Sequence, residues 1–327
     1  MHRRQAGEPD AEEFDDICVR NKTLASAASF AEMIRKEVPI KFDIGAVYPC
    51  PPPDRGALGD AYRPVHRELV FDVDLTDYDD VRTCCSKTDV CLRCWPLMTA
   101  AVRIIDRRLR EDFGVKGIQW IFSGRRGVHC WVRDPRAAVL TERQRSSLVG
   151  YLGASGEHER LVGRVHPSQV DSRDIVRESF ELFIESQQLL GSEERFGPLL
   201  AMIPCDELRR LLKSSWLDAD NLSSSTERWA QLCALVREKP LSSSPHIIDE
   251  IMLAYVQPRL DAAVTRGLNH LLKSPFAVHP GTGLVCVPID PTNAEDFDPF
   301  AVPSVFDVVS GEVSLDDHIK LFRRGFD

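Results

Sequence analysis

Alternation of polar and apolar side chains predicts strands in the first part of the chain. Lys41-Phe42-Asp43-Ile44-Gly45-Ala46-Val47-Tyr48 alternates, and the prolines of Cys50-Pro51-Pro52-Pro53 end the ladder. After a loop to about Arg67, Glu68-Leu69-Val70-Phe71-Asp72-Val73-Asp74-Leu75 reads as a second strand. Ile118 to Phe122 and Val128 to Val132 read as two more, joined by Ser123-Gly124-Arg125-Arg126-Gly127. A helix is predicted before this pair: Leu97, Ala101, Ile104, Ile105, Leu109 and Phe113 recur at helical steps, leaving Arg103, Arg107, Arg108 and Arg110 largely on the wet side.

From about Asp174 to Glu238 only helical spacing persists, with Phe180, Phe183, Ile184, Leu199, Leu200, Leu211, Leu212, Trp229 and Leu232 as expected buried positions. Ser223-Ser224-Ser225 and Ser242-Ser243-Ser244-Pro245 read as linkers, and Leu260-Asp261-Ala262-Ala263-Val264 returns to alternation. The expected organisation is a mixed α/β core built from residues 1–173 and 247–327, interrupted by a helical subdomain at 174–246. No internal repeat or heptad pattern points to a solenoid or a filament.

Composition narrows the class. A chain of 327 residues, 43% hydrophobic and 28% charged, can bury a sizeable core. Met1 to Glu13 is polar and acidic, and no apolar run approaches the roughly 20 residues that span a bilayer, so an intracellular protein without membrane spans is expected. The net charge of -9 argues against a protein that coats nucleic acid, yet it allows an enzyme with positive charge only where phosphates sit. Ten cysteines in a reducing compartment point away from disulfides. Cys18, Cys50, Cys130, Cys205, Cys233 and Cys286 are scattered like core residues, whereas Cys84, Cys85, Cys91 and Cys94 are clustered.

Candidate chemistry sits on the predicted strands. Residues two apart on a strand share a face, so Asp72 and Asp74 project together, and a divalent cation would turn their repulsion into coordination. A solvated strand face is the alternative for so short a motif. Cys84-Cys85-x5-Cys91-x2-Cys94 has a spacing that closes a tetrahedral, structural Zn²⁺ site; buried free thiols are the alternative. Ser123-Gly124-Arg125-Arg126-Gly127-Val128-His129 resembles a phosphate cradle, with glycines that admit an anion to the backbone and guanidinium forks that match phosphate oxygens; a solvated basic hairpin is the alternative. His129 lies opposite Val128 and Cys130, on the polar side of its strand. Asp261, His270, Leu271, Leu272, Lys273 and His279 are individually ordinary.

Together these motifs resemble the eukaryotic-type DNA primase small subunit. The resemblance is carried by Phe71-Asp72-Val73-Asp74-Leu75-Thr76-Asp77-Tyr78-Asp79-Asp80, the four-cysteine cluster, Ser123 through Val132, and Gly267-Leu268-Asn269-His270-Leu271-Leu272-Lys273-Ser274-Pro275-Phe276-Ala277-Val278-His279-Pro280. It runs from about Arg20 to Phe297-Asp298-Pro299-Phe300, and more weakly through Ser314 to Phe322. It implies the archaeo-eukaryotic primase fold and synthesis of short RNA primers on single-stranded DNA from ribonucleoside triphosphates. It also implies partnership with a large primase subunit and the DNA polymerase alpha complex, and location in the nucleus.

The resemblance assigns roles as well. Asp72, Asp74 and Asp261 would hold Mg²⁺ or Mn²⁺, and the four cysteines Zn²⁺. Around the backbone of Val73, Gly124, Gly127, Val128, Leu271 and Leu272, the side chains Ser123, Arg125, Arg126, His129, His270, Lys273 and His279 would line the nucleotide. Counting back from Ile17-Cys18-Val19-Arg20 puts Glu8 at the family's functional glutamate, although Gly7-Glu8-Pro9-Asp10-Ala11 is not strand-like. Arg20 and Lys41 become candidate template or site contacts. The chain ends sooner than is usual in that family, which fits a compact variant or a shortened sequence. A damage-tolerance primase-polymerase and a non-catalytic scaffold are the competing readings.

Overall fold

A computed structural model describes residues 19–20, 22–155, 172–218 and 223–325. They fall into two compact units, those up to residue 39 together with 48–63, and 40–47 together with those from 64 onward. In the first, the Ala27–Glu37 helix begins at Ser26 in a reciprocal capping box with Ser29. Arg20 belongs to this unit, and Glu8 lies outside the described residues.

In the second unit the strands are β1 (Asp43–Ile44), β2 (Leu69–Asp74), β3 (Ile118–Phe122), β4 (Gly127–Val132), β5 (Ala154–Ser155), β6 (Arg259–Leu260), β7 (Leu272–Lys273) and β8 (Pro288–Ile289). Strands β2, β4, β3 and β8 form one antiparallel sheet in that order, while β1 pairs with β7 and β5 runs parallel to β6. The expected strand over 41–48 is thus short: Asp43 and Ile44 pair with β7, and Val47 makes a separate bridge to His66.

Both faces of the four-stranded sheet are apolar, to different depths. Leu69, Phe71, Val73, Trp120, Phe122, Val128, Cys130 and Val132 join the main core with Leu97, Met98, Ala101, Ile104 and Ile105 of the Pro96–Glu111 helix. On the opposite face Val70, Ile121 and Trp131 form a smaller cluster with Val264, Leu272 and Cys286. Asp72 and Asp74 share the Val70 face, so the second cluster ends where the polar site begins.

The helical stretch contains Arg173–Gln187, Glu193–Ala201, Asp206–Leu217 and Ser225–Glu238. Its predicted buried positions are buried apart from Leu211, which is 53% exposed. Arg108 corrects the amphipathic reading of the earlier helix: it is buried, and donates to the carbonyl of Leu152 at 2.9 Å and to Ser172 Oγ at 3.3 Å. Phe113 falls beyond that helix and meets the ring of Tyr151 edge-on. Of the scattered cysteines, Cys130 and Cys286 are buried and Cys50, Cys205 and Cys233 half-buried, while Cys18 lies outside the described residues. No described helix is long and apolar enough to cross a membrane.

Candidate active site

The antiparallel register between β2 and β4 assembles the site. Asp72 faces His129, whose Nε2 is 3.6 Å from Asp72 Oδ1, and Asp74 faces Gly127. A Cβ at Gly127 would lie 2.5 Å from the Val73 carbonyl, so this position tolerates only glycine if β2 and β4 are to stay paired. Ser123 and Gly127 close the turn: the Ser123 N–H donates to the Gly127 carbonyl at 2.9 Å, and the Gly127 N–H donates to Ser123 Oγ at 3.0 Å. Gly124 at the tip has φ +89°, and a Cβ there would meet the Cβ of His279 at 2.5 Å. The turn therefore nests against the loop that follows β7. Thr282 Oγ1 donates to the Gly124 carbonyl at 2.7 Å, and Lys273 Nζ to the Ser123 carbonyl at 2.8 Å.

Asp261 arrives differently from its sequence expectation. The alternating pattern at 260–264 is not a continuous strand; β6 stops at Leu260, and Asp261 caps the Ala262–Arg266 helix by accepting from the N–H groups of Ala263 and Val264. An aspartate that can satisfy two orphan amides favours the cap over the strand. Its own N–H donates to the Asp72 carbonyl at 3.1 Å, so backbone contact brings residues 72 and 261 together.

The electrostatics are those of crowded carboxylates. Burial, then the negative fields of Asp74, Asp261 and Asp77, push Asp72 up to about 7, with Lys273 opposing. Asp77, not singled out from the sequence, sits in the one-turn helix Leu75–Tyr78 that follows β2; burial with Asp74 and Asp261 raises it to about 6. Arg126 Nε donates to both oxygens of Asp74, at 2.7 and 2.8 Å. Burial, then the Lys273 charge, holds His129 neutral with its pKa lowered to about 3, and His129 Nδ1 is buried with no hydrogen-bond partner among the described residues. His279 is lowered to about 4 by burial and by Lys273, Arg125 and Arg126, and its Nδ1 accepts from the Gly281 N–H at 3.1 Å. Lys41 pairs with Asp43 at 3.1 Å and helps lower Lys273, itself lowered first by burial.

Other predicted members are placed less directly. Val73 and Val128 point into the main core and serve the site through backbone register. Leu272 anchors the smaller cluster beside Lys273. His270 and Leu271 are exposed, and no hydrogen bond joins the His270 imidazole to the carboxylates among the described residues.

The cysteine cluster is compact. The sulfurs of Cys84, Cys85, Cys91 and Cys94 all lie within 4.8 Å of one another. A tetrahedron of thiolates around Zn²⁺ has sulfur–sulfur edges of about 3.8 Å, so these residues fit that ion with little adjustment. Against burial, which would raise it, hydrogen bonds from Cys85, Cys84 and the backbone of Arg93 and Cys94 bring Cys91 down to about 7. Two residues missed in the sequence reading build the loop. Buried Arg82 donates to Asp79 Oδ1 at 2.6 Å and to the carbonyls of Lys87 and Asp89, both at 2.8 Å. Gln187, from the helical stretch, accepts from the N–H of Thr83 at 2.6 Å and donates to the Arg93 carbonyl at 2.7 Å. A lone Gln carries no sequence signal for this role.

The carboxylates do not draw together as the thiols do; among the described residues, the cysteines form the group of three or more metal-ligating side chains. Mutual repulsion explains the difference, with Asp74 turned to Arg126 and Asp261 to its cap. On a mixed α/β fold, oxygen donors suited to hard cations thus lie next to guanidinium and ammonium groups suited to an anionic oxygen-rich ligand.

Comparison with known proteins gives the family. The sequence model for the DNA primase small subunit matches residues 71–291. The chain is 41% identical to the DNA primase small subunit of Schizosaccharomyces pombe over 297 residues, covering 85% of the chain and 65% of that protein. It is 39% identical to that of Drosophila melanogaster over 326 residues, covering 94% and 74%, and 37% identical to that of Saccharomyces cerevisiae over 306 residues, covering 88% and 73%. This chain belongs to the DNA primase small subunit family, and it spans about two thirds to three quarters of the length of these relatives.

Proposed function

We propose that this chain is the catalytic subunit of a DNA primase, joining ribonucleoside triphosphates into short RNA primers on single-stranded DNA. The observation that carries the reading is the shared face of Asp72 and Asp74 with Asp261 tied to it by backbone. A centre that pushes Asp72 up to about 7 is short of positive charge, and oxygen donors favour Mg²⁺ or Mn²⁺. Such ions, when bound, supply activation of an attacking 3′-hydroxyl and neutralisation of the departing pyrophosphate. Asp72, Asp74 and Asp261 would hold them. Arg125, Arg126 and Lys273 meet the triphosphate's negative charge, with Arg126 exchanging Asp74 for a phosphate oxygen. Neutral His129 and His279 can donate or accept a hydrogen bond without adding charge. Val73, Ser123, Gly124, Gly127 and Val128 would shape the floor through backbone, and His270, Leu271 and Leu272, which precede Lys273 in the chain, would complete the nucleotide's surroundings. Zn²⁺ on the four cysteines is structural. Glu8, outside the described residues, is carried as a catalytic residue, and Arg20 and Lys41 as site or template contacts. The primase assembly supplies a large subunit and the DNA polymerase alpha complex as partners, and we propose the nucleus as its location, where eukaryotic chromosomes are copied.

The test is incorporation of labelled ribonucleotides on unprimed single-stranded DNA with Mg²⁺ or Mn²⁺, for the chain with and without a large primase subunit. Short RNA products are expected. No synthesis with the partner present, from folded protein, would favour a scaffold.

A pH effect follows from Asp72. Its folded pKa of about 7 exceeds the ordinary 3.8, so the folded state holds the proton more tightly. The resulting stabilisation is complete below about pH 3.8 and is lost as pH rises toward about 7. His129 and His279, lowered in the fold, act with the opposite sign, so the comparison is wild type against Asp72→Asn. In EDTA, unfolding by urea should show Asp72→Asn gaining on the order of 2–4 kcal/mol over wild type between about pH 5 and 8, and Mg²⁺ should erase the gain. A difference independent of pH would contradict the raised carboxyl.

A further inference from the structure

Two arginines lie buried side by side behind the carboxylate site, without a salt bridge among the described residues. Arg67 is 1% exposed and Arg145 wholly buried. Burial, then the like charge of Arg145, brings the Arg67 guanidinium down to about 10, so the arrangement is costly. Their hydrogen bonds go to backbone carbonyls. Arg145 Nη2 donates to the carbonyl of Arg67 at 2.7 Å and Nη1 to that of Glu68 at 3.2 Å, fixing the entry to β2. Arg67 Nη1 in turn donates to the carbonyls of Val264 at 2.8 Å and Gly267 at 2.7 Å.

Those two carbonyls end the short Ala262–Arg266 helix, whose N-cap is Asp261. The last carbonyls of a helix lack internal partners, and five residues are too few to hold a helix by their own hydrogen bonds. Gly267 has φ -72°, so the left-handed cap that often satisfies such carbonyls is absent here. The guanidinium takes its place. At the other end, Asp261 is tied to the Asp72 carbonyl by a single backbone hydrogen bond. The short helix is therefore clamped at both ends to the segment of residues 67–74.

We propose that Arg67 is the positioning residue for the third carboxylate: by holding the C-terminal carbonyls of the Asp261-capped helix, it fixes Asp261 against Asp72 and Asp74. The inference rests on Asp261 being a ligand of the catalytic cation. It assigns Arg67 no contact with nucleotide or metal, which separates it from Arg125 and Arg126.

The experiment uses the full chain with its large subunit and reads primer extension against Mn²⁺ concentration, together with Mn²⁺ binding followed by electron paramagnetic resonance without turnover. Arg67→Met should raise the half-saturating Mn²⁺ about 10-fold or more in both readouts, with the triphosphate KM at saturating metal changed less than about twofold. Arg67→Gln, which keeps one donor, should give a smaller rise and serves if the Met variant does not fold. Arg108→Met removes an equally buried arginine from another part of the core and should lower Tm while leaving the Mn²⁺ requirement at the wild-type value. Loss of Tm without a change in Mn²⁺ requirement for the Arg67 variants would overturn the proposal and leave Arg67 a packing residue. Asp261→Asn tests the parent reading separately: a wild-type Mn²⁺ requirement there would remove Asp261 from the metal site whatever Arg67 does.

Discussion

Replacing Asp72 and Asp74 by asparagine should abolish RNA synthesis, by at least about 10³-fold, while the protein stays folded. The argument is electrostatic. Both side chains keep their shape, and in the metal-free fold the repulsion removed at Asp72 offsets the loss of the half-exposed Asp74–Arg126 ion pair, so stability should hold. What disappears is the pair of negative charges that attract divalent cations to the place where triphosphate arrives. A bound cation contributes several kcal/mol to stabilising the transition state, and about 4 kcal/mol corresponds to that 10³-fold loss. Nucleotide incorporation at saturating Mn²⁺ measures the first effect and urea unfolding the second. Synthesis within about tenfold of wild type would refute the assignment of the metals.

The second large effect concerns the cysteine loop. Cys91→Ser should lose zinc and destabilise the protein by about 4 kcal/mol or more, visible as a fall in Tm of roughly 5–10 °C. The loop from 79 to 94 carries few buried apolar side chains of its own, and its order depends on Asp79 and Arg82 bonding within it and on Gln187 reaching into it. Without a metal, four sulfurs within 4.8 Å of one another gain little from their proximity. Zinc quantified by atomic absorption after dialysis, alongside calorimetry, checks both parts. A Cys91→Ser protein with wild-type Tm, or wild-type protein free of zinc, would count against the site.

Much of this was legible in the sequence because strand periodicity is local. Two aspartates at i and i+2 must share a face, and the paired runs around Ser123-Gly124-Arg125-Arg126-Gly127 specify a hairpin with a basic tip; both appear as read. The thiol spacing was equally direct. Asp261 was identified through resemblance, but its setting was misread, since a short alternating run cannot be told from a capped turn without its neighbours. Arg108 and Arg67 were invisible as buried residues, because burial of a guanidinium depends on carbonyls supplied by distant segments. Gln187 and Thr282 likewise act through partners more than a hundred residues away.

The order in which the chain leaves the ribosome gives the sheet a further consequence. Strand β3 has β4 on one side as soon as residue 132 is available, but its other edge waits for β8 at residues 288 and 289. Asp261 reaches the Asp72 carbonyl hardly earlier. For much of its synthesis the nascent protein therefore displays an unpaired, apolar edge on β3, a feature that invites intermolecular pairing. Substitutions that slow closure of this sheet should lower the yield of soluble protein before they alter the activity of the molecules that complete it.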